Sequence, residues 1–240
     1  MSERFFWFLV FTIRRAGERG RTLSSWLDSH HTFSFGKFRD PDFTRYGPLC
    51  ALNEDRIAVG GGFRPHSHKN IEIVTYPLDG TLRHRESTGS ESVSGPGQIQ
   101  RMSAGSGITH SAVNAGARSV CRVIQLWFEP STRVEPSCEL KPLDAEAMRN
   151  RFSRLASPSP RSNEIRIAQD AEVWAARIDS DHEVVQRIAR GRKAWLHVAR
   201  GEIVLNETIL HDGDGAALGD DERFLVRANV PSELLLIDLA

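Results

Sequence analysis

The 240 residues carry 31 basic and 31 acidic side chains, so the formal net charge is zero and neither sign forms a long run. That balance argues against an electrostatically driven nucleic-acid surface. Three cysteines, Cys50, Cys121 and Cys138, form neither an even set nor a Cys-x-x-Cys pair, so a disulfide scaffold is not expected and a reducing cytoplasm is the natural home.

The apolar run Phe5–Phe11 holds only seven residues. A membrane-spanning helix needs about 20, and a secretory leader needs a longer apolar stretch with a small-residue cleavage site. An aromatic run of this size is expected as a buried or intersubunit strand, and no membrane partner is expected. From Thr22 to Tyr46, Phe33 and Phe35 alternate as in a strand. His30 and His31 are adjacent, so at most one could face a given site, and a hydrogen bond to backbone near a turn is the expected role of both. The strand Ile57–Val59 runs into Gly60-Gly61-Gly62, a bend able to turn Pro65 and His66 sharply inward. Ile71, Ile73 and Thr75 then alternate with Glu72, Val74 and Tyr76, as suits a strand covered on both sides. Asp79-Gly80 reads as a hairpin turn, and His84, between Arg83 and Arg85, as part of a solvated strand face. Gly105-Ser106-Gly107 has no Lys-Ser/Thr pair and no following helix, so a nucleotide site is not expected. Val120–Phe128 reads as a long buried strand.

Between Pro130 and Pro160 the composition changes to proline-punctuated sequence, with one short helix expected from Asp144, as cap, to Leu155. Short strands are expected at 165–168, 172–178, 184–188, 193–199, 202–205, 223–226 and 233–239. The run Val198–Ile203, centred on Gly201, parallels Tyr76–Thr81, centred on Gly80, which points to a second, degenerate copy of the first half. The expected division is 1–135, a connection over 136–163, and 164–240. Structural roles are expected for His182, His197 and His211, and a turn for Asp212-Gly213-Asp214-Gly215, which lacks the further acidic ligands of a calcium loop.

The chemistry concentrates between Gly60 and Asn114. On one strand His66 and His68 share a face, with Asn70 and Glu72 on the same side. Two imidazoles at this spacing can bind one metal ion, with His110 as the candidate third ligand. Neutral imidazoles suit Fe(II), Mn, Co, Ni, Cu or Zn.

The segments Gly60–His68 with Glu72 and Gly80, and Pro96-Gly97 with His110 and Asn114, resemble the two motifs of the cupin superfamily. Gly17–Gly20, Ser25–Phe35, Asn53-Glu54-Asp55 and Met102–Gly107 resemble the pirin family, most closely its bacterial branch named for quercetin 2,3-dioxygenase. The resemblance covers most of the first 130 residues specifically and the rest more loosely. It begins near Thr12, so residues 1–11 are a candidate extension. It implies an all-β bicupin of two antiparallel barrels in tandem, one divalent transition metal with iron first among the candidates, and a flavonol-like aromatic substrate opened with O2. Pirins add a His-x-Glu pair to the His-x-His pair, whereas this chain reads His110-Ser111-Ala112 and lacks the carboxylate. Three outcomes follow: a three-histidine site with open positions, replacement of the lost carboxylate by Glu72, or weak metal binding without chemistry. Glu72 lies roughly 13 Å along an ideal strand from His68, so the second requires the strand to bend. The family also contains iron-bearing transcriptional cofactors, so a non-catalytic, metal-dependent regulatory protein with a protein partner is the competing expectation. A storage or structural protein whose ligands are a relic is the third.

Overall fold

A computed structural model describes residues 12–219 and 223–240; the aromatic run Phe5–Phe11 lies outside them. Two similar halves each combine a seven-stranded sheet with a four-stranded sheet. In the first half the large sheet runs, in spatial order, through strands Ser137–Pro142, Gln98–Ser103, Glu72–Asp79, Cys121–Phe128, Leu49–Ile57, Leu27–His31 and Gly20–Leu23. Its small sheet orders Gly62–His68, Ile108–Asn114, Leu82–Glu86 and Glu91–Ser94. The second half repeats the plan, with Lys193–Arg200, Ser232–Leu239 and Ala171–Ile178 at the centre of its large sheet. The fold is the all-β bicupin.

Alternation decides which face does what. Along Glu72–Asp79 seven of eight positions are buried, as expected for a strand covered on both sides. Val74 and Tyr76 point away from the small sheet into a core shared by both halves, which also holds Leu126, Phe128, Val173, Trp195, Leu235 and Ile237. Ile73 and Thr75 point inward. In the second half the inward positions are apolar: Leu196, Val198 and Leu236 meet Ile203, Phe224 and Val226 and fill the barrel. The first barrel keeps polar side chains and open space inside. This difference makes one half a site and the other a support.

Asp79-Gly80 is a corner, not the expected hairpin. Glu72–Asp79 pairs only within the large sheet, and Leu82–Glu86 only within the small one. Gly80 (φ 66°) lets the chain change sheets, and a Cβ there would stand 2.8 Å from the Val120 carbonyl. Gly201 (φ 90°) makes the same corner between Lys193–Arg200 and Glu202–Leu205, so the parallel between the two glycine-centred runs is geometric.

The stretch 136–163 is more structured than a connection. Ser137–Pro142 joins the first large sheet, and Ser153–Ser157 joins the second. The helix is one turn, Ala145–Met148, with Asp144 Oδ1 accepting from Ala147 N at 3.0 Å. It stops short of Leu155 because Asn150 turns the chain with φ 52° and the next residues enter a strand. Before the chain enters the first barrel, Thr12–Arg14 pairs with Gly215–Leu218 at the edge of the second. Asp212–Asp214 is a turn, as expected, and Asp214 accepts from Ala16 N and Arg15 Nη1. Among the described residues no helix is long and apolar enough to cross a membrane.

Candidate metal centre

The small sheet of the first half assembles the three expected histidines. Gly62–His68 and Ile108–Asn114 run antiparallel with His110 opposite His66 and Ile108 opposite His68. Directly opposite residues share a face, so all three imidazoles point inward. Their ring centroids lie 4.8 Å (His66–His68), 4.4 Å (His66–His110) and 5.0 Å (His68–His110) apart, and one donor atom from each falls within 4.8 Å of the others. His66 Nδ1 lies 2.7 Å from the Arg64 carbonyl, which can only accept, so Nδ1 carries the proton and Nε2 keeps its lone pair. The Nε2 atoms of His68 and His110 are buried without a partner. Buried polar atoms normally find partners, so two orphaned nitrogens aimed into one space fit a missing cation. Burial pushes His110 down to about 3, assisted by its histidine neighbours, and lowers His68 in the same way. Both of these rings are therefore neutral donors near pH 7, as metal ligation requires.

Glu72 is not among them. Asn70 adopts φ 50° and breaks the strand after His68, so Glu72 begins a new strand in the other sheet. Its carboxylate accepts from Ser103 Oγ at 2.5 Å and from Ala168 N at 2.6 Å. Glu72 is thus a buried tie toward the second half and leaves the role of fourth ligand or base vacant.

His84 corrects a second expectation. It is 5% exposed rather than solvated, and its Nε2 sits 2.7 Å from His110 Nδ1. The sequence carried a signal for this: Leu82 must face the core, and alternation then turns His84 and Glu86 inward and Arg83 and Arg85 out. His84 lies directly across from Ala112, and Glu86 across from His110. His30 and His31 do face opposite ways. His31 is buried between Asn53 Oδ1 (2.9 Å) and Thr22 Oγ1 (2.8 Å), bonded to side chains rather than at a turn.

The histidines open on a cavity of about 770 Å³ that Phe35, Phe38, Phe63 and Trp127 wall. Trp127 stands edge-on to His68 at 5.0 Å and to Phe35 at 5.1 Å. Ala112 reaches this cavity too, and Asp55 is the acidic residue of its wall. Asp55 accepts from Ser29 Oγ at 2.5 Å. Burial, with Glu54 nearby, raises its carboxyl to about 6 despite that bond. Nothing in the sequence pattern distinguished Asp55 from its neighbours Asn53 and Glu54.

Two β-barrels in tandem, one plugged and one holding a triad of imidazoles beside an aromatic cavity, define a bicupin with a candidate metal centre. The chain belongs to the pirin family: the family model described as Pirin matches residues 12–128, and the one described as Quercetinase C-terminal cupin domain matches residues 154–239. It is 36% identical over 228 residues to quercetin 2,3-dioxygenase of Escherichia coli K12, covering 95% of this chain and 97% of that one. It is 34% identical over 217 residues to a pirin-like protein of Caulobacter vibrioides, covering 90% and 93%. The crystal structure of the bacterial pirin YhhW from Escherichia coli in complex with nickel(II) superposes with a TM-score of 0.89 at 34% identity, over 96% of this chain and 99% of that one.

Proposed function

We propose that this chain is a metal-dependent dioxygenase that opens the ring of a flavonol-like aromatic substrate with O2, with His66, His68 and His110 holding one divalent transition metal. The observation that carries the reading is the junction of two orphaned imidazole nitrogens with an aromatic-walled cavity of about 770 Å³, within the size range of small-molecule sites. The names of the relatives support the substrate class. A divalent transition metal in this position supplies Lewis acidity toward a substrate oxygen and a meeting point for dioxygen.

The protein's own part is positioning and proton handling. Phe35, Phe63 and Trp127 offer edges and faces to a flat polycyclic ligand. Exposed Lys37 at the same cavity suits a ligand that becomes anionic. With Ala112 in place of the usual glutamate, Asp55 is the carboxylate that takes the substrate's hydroxyl proton. Its raised pKa of about 6 makes it a better base than an ordinary aspartate while leaving it ionised at pH 7. Rate should therefore climb as pH rises through about 6 and level off above it, because only the carboxylate form accepts the proton. Asp55→Asn should remove that limb and lower kcat/KM by about 10²-fold or more, measured by pH-rate profiles at saturating metal.

The test of the reaction is oxygen uptake with release of carbon monoxide. Protein loaded anaerobically with Fe(II), Mn, Co, Ni or Cu, then given quercetin and air, should consume oxygen with at least one metal; silence with all five overturns it. The methyl group at Ala112 favours a second reading, a metal-dependent regulatory protein without catalysis. Recovery of a stable partner only with metal present, alongside that silence, selects it.

A further inference from the structure

Beneath the triad lies a second set of donor atoms. One ring nitrogen of His84, the Glu86 carboxylate and Cys138 Sγ fall within 4.8 Å of one another, and it is the Nδ1 of His84 that lies 3.9 Å from Cys138 Sγ. Tetrahedral ligation with bonds of about 2.0–2.3 Å places donors about 3.3–3.8 Å apart, so small side-chain adjustments close the set. Glu86 is 8% exposed, yet neither of its oxygens has a nitrogen or hydroxyl donor. The Cys138 thiol, a weak donor, is the polar group that faces it. A buried carboxylate left this bare is costly unless a cation completes it. Gln100 Nε2 donates to Cys138 Sγ at 3.1 Å, the outer support a thiolate ligand commonly receives.

We propose that His84, Glu86 and Cys138 form a second, inner site for a thiophilic divalent cation of the zinc class, and that, while both imidazoles stay neutral, it cannot be filled together with the three-histidine site. Thiolate, imidazole and carboxylate together suit such a cation. On binding, the thiol proton leaves to solvent and the sulfur lone pair goes to the metal. The exclusion follows from counting protons on two imidazoles 2.7 Å apart. A neutral imidazole has one N–H and one lone pair. If His110 Nε2 binds a metal, its Nδ1–H donates to His84 Nε2, which leaves the proton of His84 on Nδ1. If His84 Nδ1 binds a metal, its Nε2–H donates to His110 Nδ1, which leaves the proton of His110 on Nε2. Each occupancy withdraws a ligand from the other site. A thiophilic cation in the inner site therefore switches the outer one off. The exclusion rests on the three-histidine reading; the inner site does not.

Cobalt(II) tests both parts, since thiolate ligation gives a near-ultraviolet charge-transfer band that imidazole ligation lacks. In His66→Ala, with the outer site crippled, cobalt should raise that band and saturate at one ion per chain. Adding Cys138→Ser should abolish the band, adding Cys50→Ser should keep it, and adding Glu86→Gln should weaken binding about tenfold or more, with melting curves checking each fold. In the wild type the band should need about tenfold more cobalt, and total binding should stay at one ion per chain. No band in His66→Ala, or a band that survives Cys138→Ser, overturns the inner site. Two cobalt ions per wild-type chain with the band present overturns the exclusion.

Discussion

At the scale of single residues, the position that most separates this chain from the usual pirin ligand set is Ala112. It is buried, reaches the cavity, and lies on the strand face of His110. A carboxylate there would join the imidazoles. Ala112→Glu should therefore tighten metal binding at the triad by about tenfold or more, as read by competition with a chromogenic chelator. Unchanged affinity would mean that the side chain at 112 does not reach the cation. The triad itself was legible in the sequence because His-x-His on one strand needs only alternation. Asp55 and Glu86 were not, because a carboxylate's role depends on what buries it and on which strands pair beside it. Alternation around Leu82 could have turned His84 inward, but the flanking arginines masked it.

At the scale of elements, the distinction is between a strand that continues and one that restarts. Reading Glu72 as a ligand assumed an unbroken strand from His66. The left-handed turn at Asn70 resets the alternation and sends the next strand into the opposite sheet. Glu72 became instead the acceptor that fixes Ser103 and the backbone of Ala168. Glu72→Ala leaves the Ala168 N–H without its acceptor and Ser103 without its carboxylate partner. It should cost about 2–4 kcal/mol by thermal or urea unfolding while leaving metal affinity within about twofold. A large loss of affinity with intact folding would return Glu72 to the site. The strands of both halves were largely legible from pattern and turn residues. The short strands Thr208–His211, at a sheet edge, and Gly215–Leu218, between Thr12–Arg14 and Lys193–Arg200, were not, because segments of four residues carry little periodic signal.

At the scale of the whole molecule, the halves share buried charge as well as the apolar core. Arg122 links Glu54 (2.7 Å) of the first half to Asp212 (2.7 Å) and the Ala199 carbonyl (2.9 Å) of the second, and Arg19 adds to Glu54 at 3.3 Å. Against burial, Arg122 and Arg19 hold Glu54 down at about 2. His197 is fully buried near this network with neither ring nitrogen bonded, and burial drives it down to about 3. Both folded pKa values lie below their unfolded ones, so protonating either group destabilises the fold. The cost of keeping His197 uncharged grows as pH falls from 6.5 toward 3, and the stabilisation by ionised Glu54 is lost from 4.5 toward 2. At pH 5 the histidine alone should cost about 2 kcal/mol. His197→Leu should flatten the fall in melting temperature between pH 6.5 and 5; an unchanged slope would show that His197 is not responsible.

The strand Thr12–Arg14, laid on the far barrel's edge before the chain winds through the near one, acts as a fastening. A protease nick near residue 160 would then yield two pieces that travel as one on gel filtration until denaturant is added, the cut polypeptide still buckled by its own leading strap.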